Sequence, residues 1–251
     1  FNIFTDEKTL HDTGIENLNM TLVEELVENK TGKPIDDLSI PLKKLLNNMK
    51  LMDGDNCTLA GILLLGKRQH YILSQNIISG ISWYGNDPAD TEYMDSEDII
   101  GPVKDLYDRG MSFVKRQLHK VQKGQNFNST GILEIPEVAI QEALVNAIVH
   151  RNYYIQSNIR LFVFKNRVEI INPGCLANTL EIDTIKTGVH ISRNPILLSH
   201  IKNFKRIPYR GIGTGITRII KSCEEEDISV EFFNEVEKNQ FKVVFWRNTQ
   251  N

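Results

Sequence analysis

The stretch IQEALVNAIVHRNY, residues 140–153, is largely apolar but carries the polar residues Glu142, Asn146 and His150 within its apolar part. These polar positions are four residues apart, and each step of four advances only about 40° around an α-helix. They therefore share one face of a helix that is otherwise apolar nearly all round, as in a helix packed on more than one side. A buried carboxylate or amide needs a partner. The segment thus predicts a core helix whose polar groups contact a partner, which can be protein, water, a metal ion or a ligand.

Two interpretations of these polar residues are open from their spacing alone. In the first they are structural: Glu142 pairs with a nearby arginine, Asn146 holds a loop, and His150 lies at the helix C-terminus, where positive charge is favourable. In the second, Glu142 and Asn146 form an oxygen-ligand site for Mg²⁺ and a triphosphate. Mg²⁺ prefers oxygen and often takes only one or two protein ligands beside phosphates.

The composition is that of a globular protein, with 251 residues of which 41% are hydrophobic and 24% charged. A net charge of -3 excludes the broad basic field of non-specific nucleic-acid or membrane binders. Three scattered cysteines indicate a reducing compartment, and no apolar run approaches the about eighteen residues of a membrane span. We therefore expect a cytoplasmic protein without a membrane partner. Because the chain begins with Phe1, we also expect it to be a piece of a longer protein.

The first half predicts a mixed α/β domain over residues 1–125. Apolar residues three and four apart within 21–50 indicate two helices, separated by Gly32 and Pro34. The elements predicted to follow are a buried segment at 58–66, a strand at 77–83, a polar loop at 86–97 and a long helix at 102–123. The polar segment 125–131 is the predicted domain boundary.

The second half predicts an α+β domain over residues 132–251. A helix is expected from Pro136 to about His150. Asn194 is the predicted N-cap of another helix, with Pro195 as its first residue. The remaining predicted elements are a hairpin at 158–164 and 167–171, helices at 180–186, 194–203 and 216–225, and strands at 229–234 and 240–247. We expect the helices to pack on one face of a mainly antiparallel sheet.

Four motifs of the second half occur in an order that resembles a known family. They are EALVNAIVHRNY at 142–153, VEIINPG at 168–174, ISRNPIL at 191–197 and YRGIGTGITRII at 209–220. The order is similar to that of the C-terminal domain of RecG-like regulators, a divergent branch of the GHKL ATPases, which include gyrase, histidine kinases and MutL. This resemblance, over about 135–247, implies a GHKL-like (Bergerat-type) sandwich.

The block before these motifs has a resemblance of its own. The stretches TLAGILLLGK at 58–67 and DTEYMDSEDI at 90–99 resemble the segment that, in these regulators, joins the ATPase-like domain to an N-terminal Schlafen/AlbA-like domain. The resemblance therefore implies that DNA is contacted through a domain that this chain lacks.

The resemblance also implies roles for the first two motifs. In GHKL ATPases a Glu polarises the attacking water and an Asn one turn later ligates Mg²⁺; here these are Glu142 and Asn146, with His150 near the same ligand. The second motif of the ATPases has an Asp that accepts a hydrogen bond from the adenine amino group. Asn172 stands there, followed by Pro173 and Gly174, and its uncharged amide both accepts and donates. Two interpretations of Asn172 are therefore open: it contacts adenine, or it belongs to a plain turn after the strand.

The last two motifs would contact phosphates. Arg193 would reach them, or its segment only starts a helix. The glycines Gly211, Gly213 and Gly215 would let backbone N–H groups approach a phosphate at a helix N-terminus, although ordinary loop-to-helix turns use the same spacing. Basic residues just before them form either a solvated face or a phosphate- or DNA-facing patch: Lys202, Lys205, Arg206 and Arg210.

Other chemistries have no support in the sequence, which lacks zinc-ligand spacing, a GxSxG motif and the motor signatures of a helicase. The leading hypothesis is an ATP- and Mg²⁺-binding GHKL-like module of a transcriptional regulator, with slow ATP hydrolysis. The alternative is a degenerate, non-enzymatic module for dimerisation or effector sensing, which would act as a homodimer.

Overall fold

The structure is a computed structural model that describes residues 4–121, 131–177, 180–209, 211 and 213–248. Eight α-helices lie in these ranges: α1 Met20–Thr31, α2 Leu42–Asn48, α3 Leu59–Leu65, α4 Val103–Gln117, α5 Glu137–His150, α6 Ile182–Lys186, α7 Pro195–Ile201 and α8 Gly215–Glu224. The same ranges contain eleven strands: β1 Thr9–Leu10, β2 Met52–Asp53, β3 Asn56–Thr58, β4 Ile78–Trp83, β5 Tyr93–Ile99, β6 Lys120–Val121, β7 Ile132–Leu133, β8 Ile159–Val163, β9 Arg167–Pro173, β10 Val230–Glu235 and β11 Gln240–Trp246. Among the helices described, none is long and apolar enough to cross a membrane.

A six-stranded sheet in the order β10-β11-β9-β8-β4-β5 forms the centre of the fold. Its neighbouring strands are antiparallel except for β4 and β8, which run parallel. Alternate residues of β8 are buried, namely Ile159, Leu161 and Val163, since successive side chains point to opposite faces. Helices α4 and α5 pack against this sheet, and α8 packs on α5. The predicted α+β class, with helices on a mainly antiparallel sheet, is confirmed.

Strands from both sides of the predicted domain boundary share this sheet. Ile78 to Ser82 of β4 pair with Ile159 to Val163 of β8. Residues 122–130, which hold most of the predicted boundary, lie outside the described residues. The division at 125–131 stays a prediction.

The first half also contains a small three-stranded sheet in the order β1-β3-β2. Helix α1 ends where predicted, because Gly32 adopts the left-handed conformation that caps a helix C-terminus. The buried segment expected at 58–66 contains α3, every residue of which is buried.

Two predicted boundaries in this half are wrong. The segment 86–97, predicted as a loop, contains most of β5; this strand lies at the edge of the sheet, and its polar residues face solvent or α4. Glu97 of β5 accepts hydrogen bonds from Arg109 and Arg116 of α4, each at 2.8 Å. The helix predicted to reach 123 ends at Gln117, since the backbone of Leu118 is extended.

Candidate functional site

Helix α5 forms one wall of a pocket that opens to solvent. Glu142, Asn146 and His150 all line it, which agrees with their position on one helix face. Glu142 is buried, whereas Asn146 and His150 are half-buried. The sequence therefore places a buried carboxylate at the deep end of a row of polar side chains.

The structure brings the predicted site residues together around this one pocket. They come from α5, the end of β9, the segment before α7 and the loop before α8: Glu142, Asn146, His150, Asn172, Gly174, Arg193, Gly211, Gly213 and Gly215. This placement agrees with a shared site, while their individual roles stay predictions.

The glycine-rich loop adopts a conformation that needs glycine. Gly211 and Gly213 have φ of 71° and 75°, in the left-handed region that favours glycine. A Cβ on Gly215 would lie 3.0 Å from both Asn146 Nδ2 and Glu142 Oε2. The absence of a side chain at Gly215 thus lets the N-terminus of α8 lie directly against the polar face of α5. Arg210 and Ile212 of this motif lie outside the described residues.

Glu142 forms an ion pair with Arg218 of α8. The Arg218 Nη2 atom is 2.5 Å from Glu142 Oε1, and the exposed fractions of the two side chains are 30% and 4%. Of the two interpretations of Glu142, the structural one correctly foresaw an arginine partner. Sequence reasoning did not single out Arg218, although it lies three residues after Gly215 and so on the same face of α8.

The C-terminus of α5 is held by Arg193 and Asn194. The Nδ2 atom of Asn194 donates to the carbonyl oxygens of Val149 and Arg151, each at 2.9 Å. The guanidinium of Arg193 donates to the carbonyls of His150 and Cys175. Asn194 is the N-cap residue of α7 as predicted, but its side chain makes no capping hydrogen bond to that helix.

Arg193 therefore contacts backbone carbonyls where a phosphate contact was predicted. Burial lowers its pKa from the usual value. Its side chain still lines the pocket, and a Cβ on Gly174 would lie 2.8 Å from its Nη1 atom. Arg193 thus packs the end of β9 against the end of α5.

His150 is neutral at neutral pH. Burial, together with smaller effects of the nearby His190 and Arg193, lowers its pKa from 6.5 to about 4. A charged His150 at the end of α5 was one predicted structural role, and a neutral imidazole cannot fill it. The guanidinium of Arg193 supplies the positive charge at that helix end.

Asn172 lies on β9 with only 6% of its surface exposed, and it lines the pocket. No hydrogen-bond partner of its Oδ1 atom is present among the residues that the structure describes. A buried amide oxygen without a partner is costly. Asn172 is therefore a candidate acceptor for a donor group on a ligand.

The rest of the pocket is largely apolar and contains one cysteine. The sheet contributes Ile170, Phe241 and Val243 to the lining. Cys175 lines the same pocket and is half-buried. The other two cysteines of the chain are buried, and burial raises the pKa of Cys57 to about 11 and that of Cys223 to about 12. Cys175 is thus the thiol best placed to report on ligand binding.

The basic residues before the glycine-rich loop lie elsewhere. Lys202, Lys205 and Arg206 are exposed and do not line the pocket. The Nη1 atom of Arg206 is 3.6 Å from the Oδ2 atom of Asp108 in α4. The arrangement agrees with the interpretation of a solvated basic face.

A family model matches the second half of this chain. Residues 156–245 match the model described as "Putative ATP-dependent DNA helicase recG C-terminal", a domain of the HATPase type. The match supports an ATPase-type, RecG-related domain. Its range begins after α5, so the assignment of Glu142 and Asn146 rests on the sequence motif and the pocket.

The fold as a whole is similar to a solved structure. The crystal structure of the DIP2311 protein from Corynebacterium diphtheriae superposes with a TM-score of 0.74 at 12% sequence identity. The alignment covers 98% of this chain and 48% of that protein, so this chain spans about half of its length. At this identity the likeness concerns the fold alone. No curated protein sequence matches the chain significantly.

Proposed function

We propose that the pocket binds ATP together with Mg²⁺. The observation that carries this proposal is the convergence of four separate sequence motifs on one pocket, with Glu142 and Asn146 against the N-terminus of α8. A helix N-terminus preceded by glycines favours a phosphate group. The ATPase-type family match supports the same ligand class.

Each side of the pocket suits a different part of the nucleotide. The amide oxygen of Asn146 is the group that would hold Mg²⁺, which when bound would offset the charge of the phosphates. The apolar residues Ile170 and Val243 suit the flat face of a base. The buried Oδ1 of Asn172 is suited to accept a hydrogen bond from the adenine amino group.

Calorimetric titration with ATP, GTP and ADP, with and without Mg²⁺, tests the proposal. We expect binding of ATP that strengthens with Mg²⁺. Asn146→Ala should remove the Mg²⁺-dependent part of the affinity, since it removes the amide oxygen. The matched control is Gln141→Ala on the same helix, because Gln141 bonds to Glu137 and does not line the pocket.

The reactivity of Cys175 provides a second, independent measurement. A bound nucleotide should slow its modification by a disulfide reagent, because Cys175 lines the same pocket. Absence of both calorimetric binding and Cys175 protection at millimolar nucleotide would refute the proposal.

We further propose slow hydrolysis of ATP, with Glu142 orienting the attacking water. Phosphoryl transfer needs mainly positioning and neutralisation of charge, and a carboxylate beside the phosphates can hold the water. Glu142→Gln should abolish turnover without abolishing binding. Equal turnover in this variant would rule out that role.

The ion pair between Glu142 and Arg218 favours a second candidate, a module that senses a nucleotide or other effector without hydrolysis. A carboxylate oxygen held by a guanidinium is less available to a water molecule. This candidate predicts ligand binding with no release of phosphate. In either case we place the module in a transcriptional regulator that contacts DNA through another domain. For the second candidate we also propose that the protein is a homodimer, which a measurement of its mass in solution would test.

A further inference from the structure

Arg218 lies at the point where the glycine-rich loop meets α5. It lies on α8 one turn after Gly215, lines the pocket and is 30% exposed. Side chains on an α-helix lean towards its N-terminus. The guanidinium therefore extends towards the end of α8 where a phosphate is expected.

The other positive groups of the pocket are engaged differently. Arg193 donates to two backbone carbonyls, and no other arginine or lysine besides Arg218 lines the described part of the pocket. His150 is uncharged at neutral pH. Arg218, by contrast, is paired with a side chain, that of Glu142. It can exchange this partner for a ligand without breaking the backbone packing of the pocket.

We infer that Arg218 is a phosphate-binding residue of this pocket and that phosphates compete with the Glu142 carboxylate for its guanidinium. The inference rests on the proposed nucleotide binding and adds to it a residue and a form of regulation. A phosphate offers the guanidinium the same kind of charge-assisted hydrogen bond that the carboxylate does. When Arg218 moves to a phosphate, the Oε1 atom of Glu142 is released towards the same site. Binding of the phosphates would then make the Glu142 carboxylate available to the attacking water.

This competition predicts opposite effects for the two members of the pair. Arg218→Gln should weaken the binding of ATP and tripolyphosphate about tenfold or more, because a charged contact to phosphate is lost. Its affinity for adenosine should stay the same. Glu142→Gln should strengthen the binding of ATP by several fold, since the competing carboxylate charge is gone while the side-chain shape is kept. A purely structural ion pair would make both variants weaker or leave both unchanged.

Calorimetric titration of adenosine, tripolyphosphate and ATP·Mg²⁺ into the full chain tests the inference. The matched control is Lys221→Gln, on the same helix, because its side chain is 76% exposed and pairs only weakly with Glu225 at 3.9 Å. Thermal unfolding of each variant reports on the fold. If Arg218→Gln does not fold, the change in affinity of Glu142→Gln decides by itself.

The outcomes separate the inference from the proposed function. If the unaltered chain binds no nucleotide and no tripolyphosphate, the proposed function fails and the inference fails with it. If the unaltered chain binds ATP but Arg218→Gln binds it equally well, or Glu142→Gln gains no affinity, only the inference is overturned. Loss of adenosine binding in Arg218→Gln would likewise assign Arg218 to the architecture of the pocket.

Discussion

Ionisation of Asp6 is expected to destabilise the protein as the pH rises. Asp6 is fully buried, and its Oδ2 accepts a hydrogen bond of 2.8 Å from the backbone N–H of Leu197 at the start of α7. No partner of its Oδ1 is present among the residues described. Burial raises the pKa of Asp6 from 3.8 to about 6, and the backbone donors offset only part of this effect.

The size of the effect follows from the difference in proton binding between the folded and unfolded states. Because the folded pKa lies above the unfolded one, the folded state binds more protons between the two values. The stability contributed by the protonated form is present below about pH 4 and is lost as the pH rises through about 6. A shift of about 2 pKa units is worth about 3 kcal/mol in full, of which about 2 kcal/mol falls between pH 4.5 and 7.

Chemical denaturation of the unaltered chain and of Asp6→Asn across this pH range measures the effect. Asparagine keeps the shape and an acceptor for the Leu197 N–H but does not titrate. The difference between the free energies of unfolding of the two proteins removes the contributions of all other titrating groups. We expect the variant to gain about 2 kcal/mol relative to the unaltered chain as the pH rises. A difference that does not change with pH would refute the reasoning.

Three further predictions concern stability and the pocket thiol. His200 is buried with its Nε2 2.9 Å from the Met49 carbonyl oxygen, and burial lowers its pKa from 6.5 to about 4. The stability contributed by neutral His200 is therefore present above about pH 6.5 and is lost as the pH falls to 4, a loss of about 3 kcal/mol in full. In denaturation experiments the free energy of unfolding of His200→Gln should lack this pH dependence. Asn194→Ala should cost about 2–4 kcal/mol in urea denaturation, because two buried carbonyls at the C-terminus of α5, those of Val149 and Arg151, lose their donor; a change within experimental error would mean that water replaces the amide. In the folded chain one thiol, Cys175, should react rapidly with a disulfide reagent and all three only after denaturation; a second fast thiol would contradict the burial of the other two.

Much of the fold could be predicted because its signals are local. The helix α5 follows from apolar spacing and from Pro136 before its first turn, and the β8–β9 hairpin follows from alternation and the Lys165–Asn166 turn. Such patterns depend on residues within one or two turns of each other. The order of four motifs likewise predicted which residues line the pocket.

The errors occurred where distant residues decide the structure. The β5 strand is polar because it lies at an edge of the sheet and pairs its carboxylates with arginines of α4. Asn194 begins α7 as predicted, but nothing in the sequence indicated that its side chain and that of Arg193 bind carbonyls at the end of α5. The hydrogen bonds from Arg193 and Asn194 to the end of α5 join residues more than forty positions apart, and no local pattern encodes them.

The sequence by itself determined the helix that carries Glu142 and Asn146, the turns that end the neighbouring strands, and the grouping of the glycines before α8. Spacing along one helix is set by backbone geometry, so it can be read without the fold. Only the tertiary structure decided which arginine meets Glu142. That choice depends on Gly215, whose lack of a side chain lets α8 approach α5 and bring Arg218 within 2.5 Å of the carboxylate. The strength of a charge pair depends on distance through space and on burial, and neither can be read from positions along the chain.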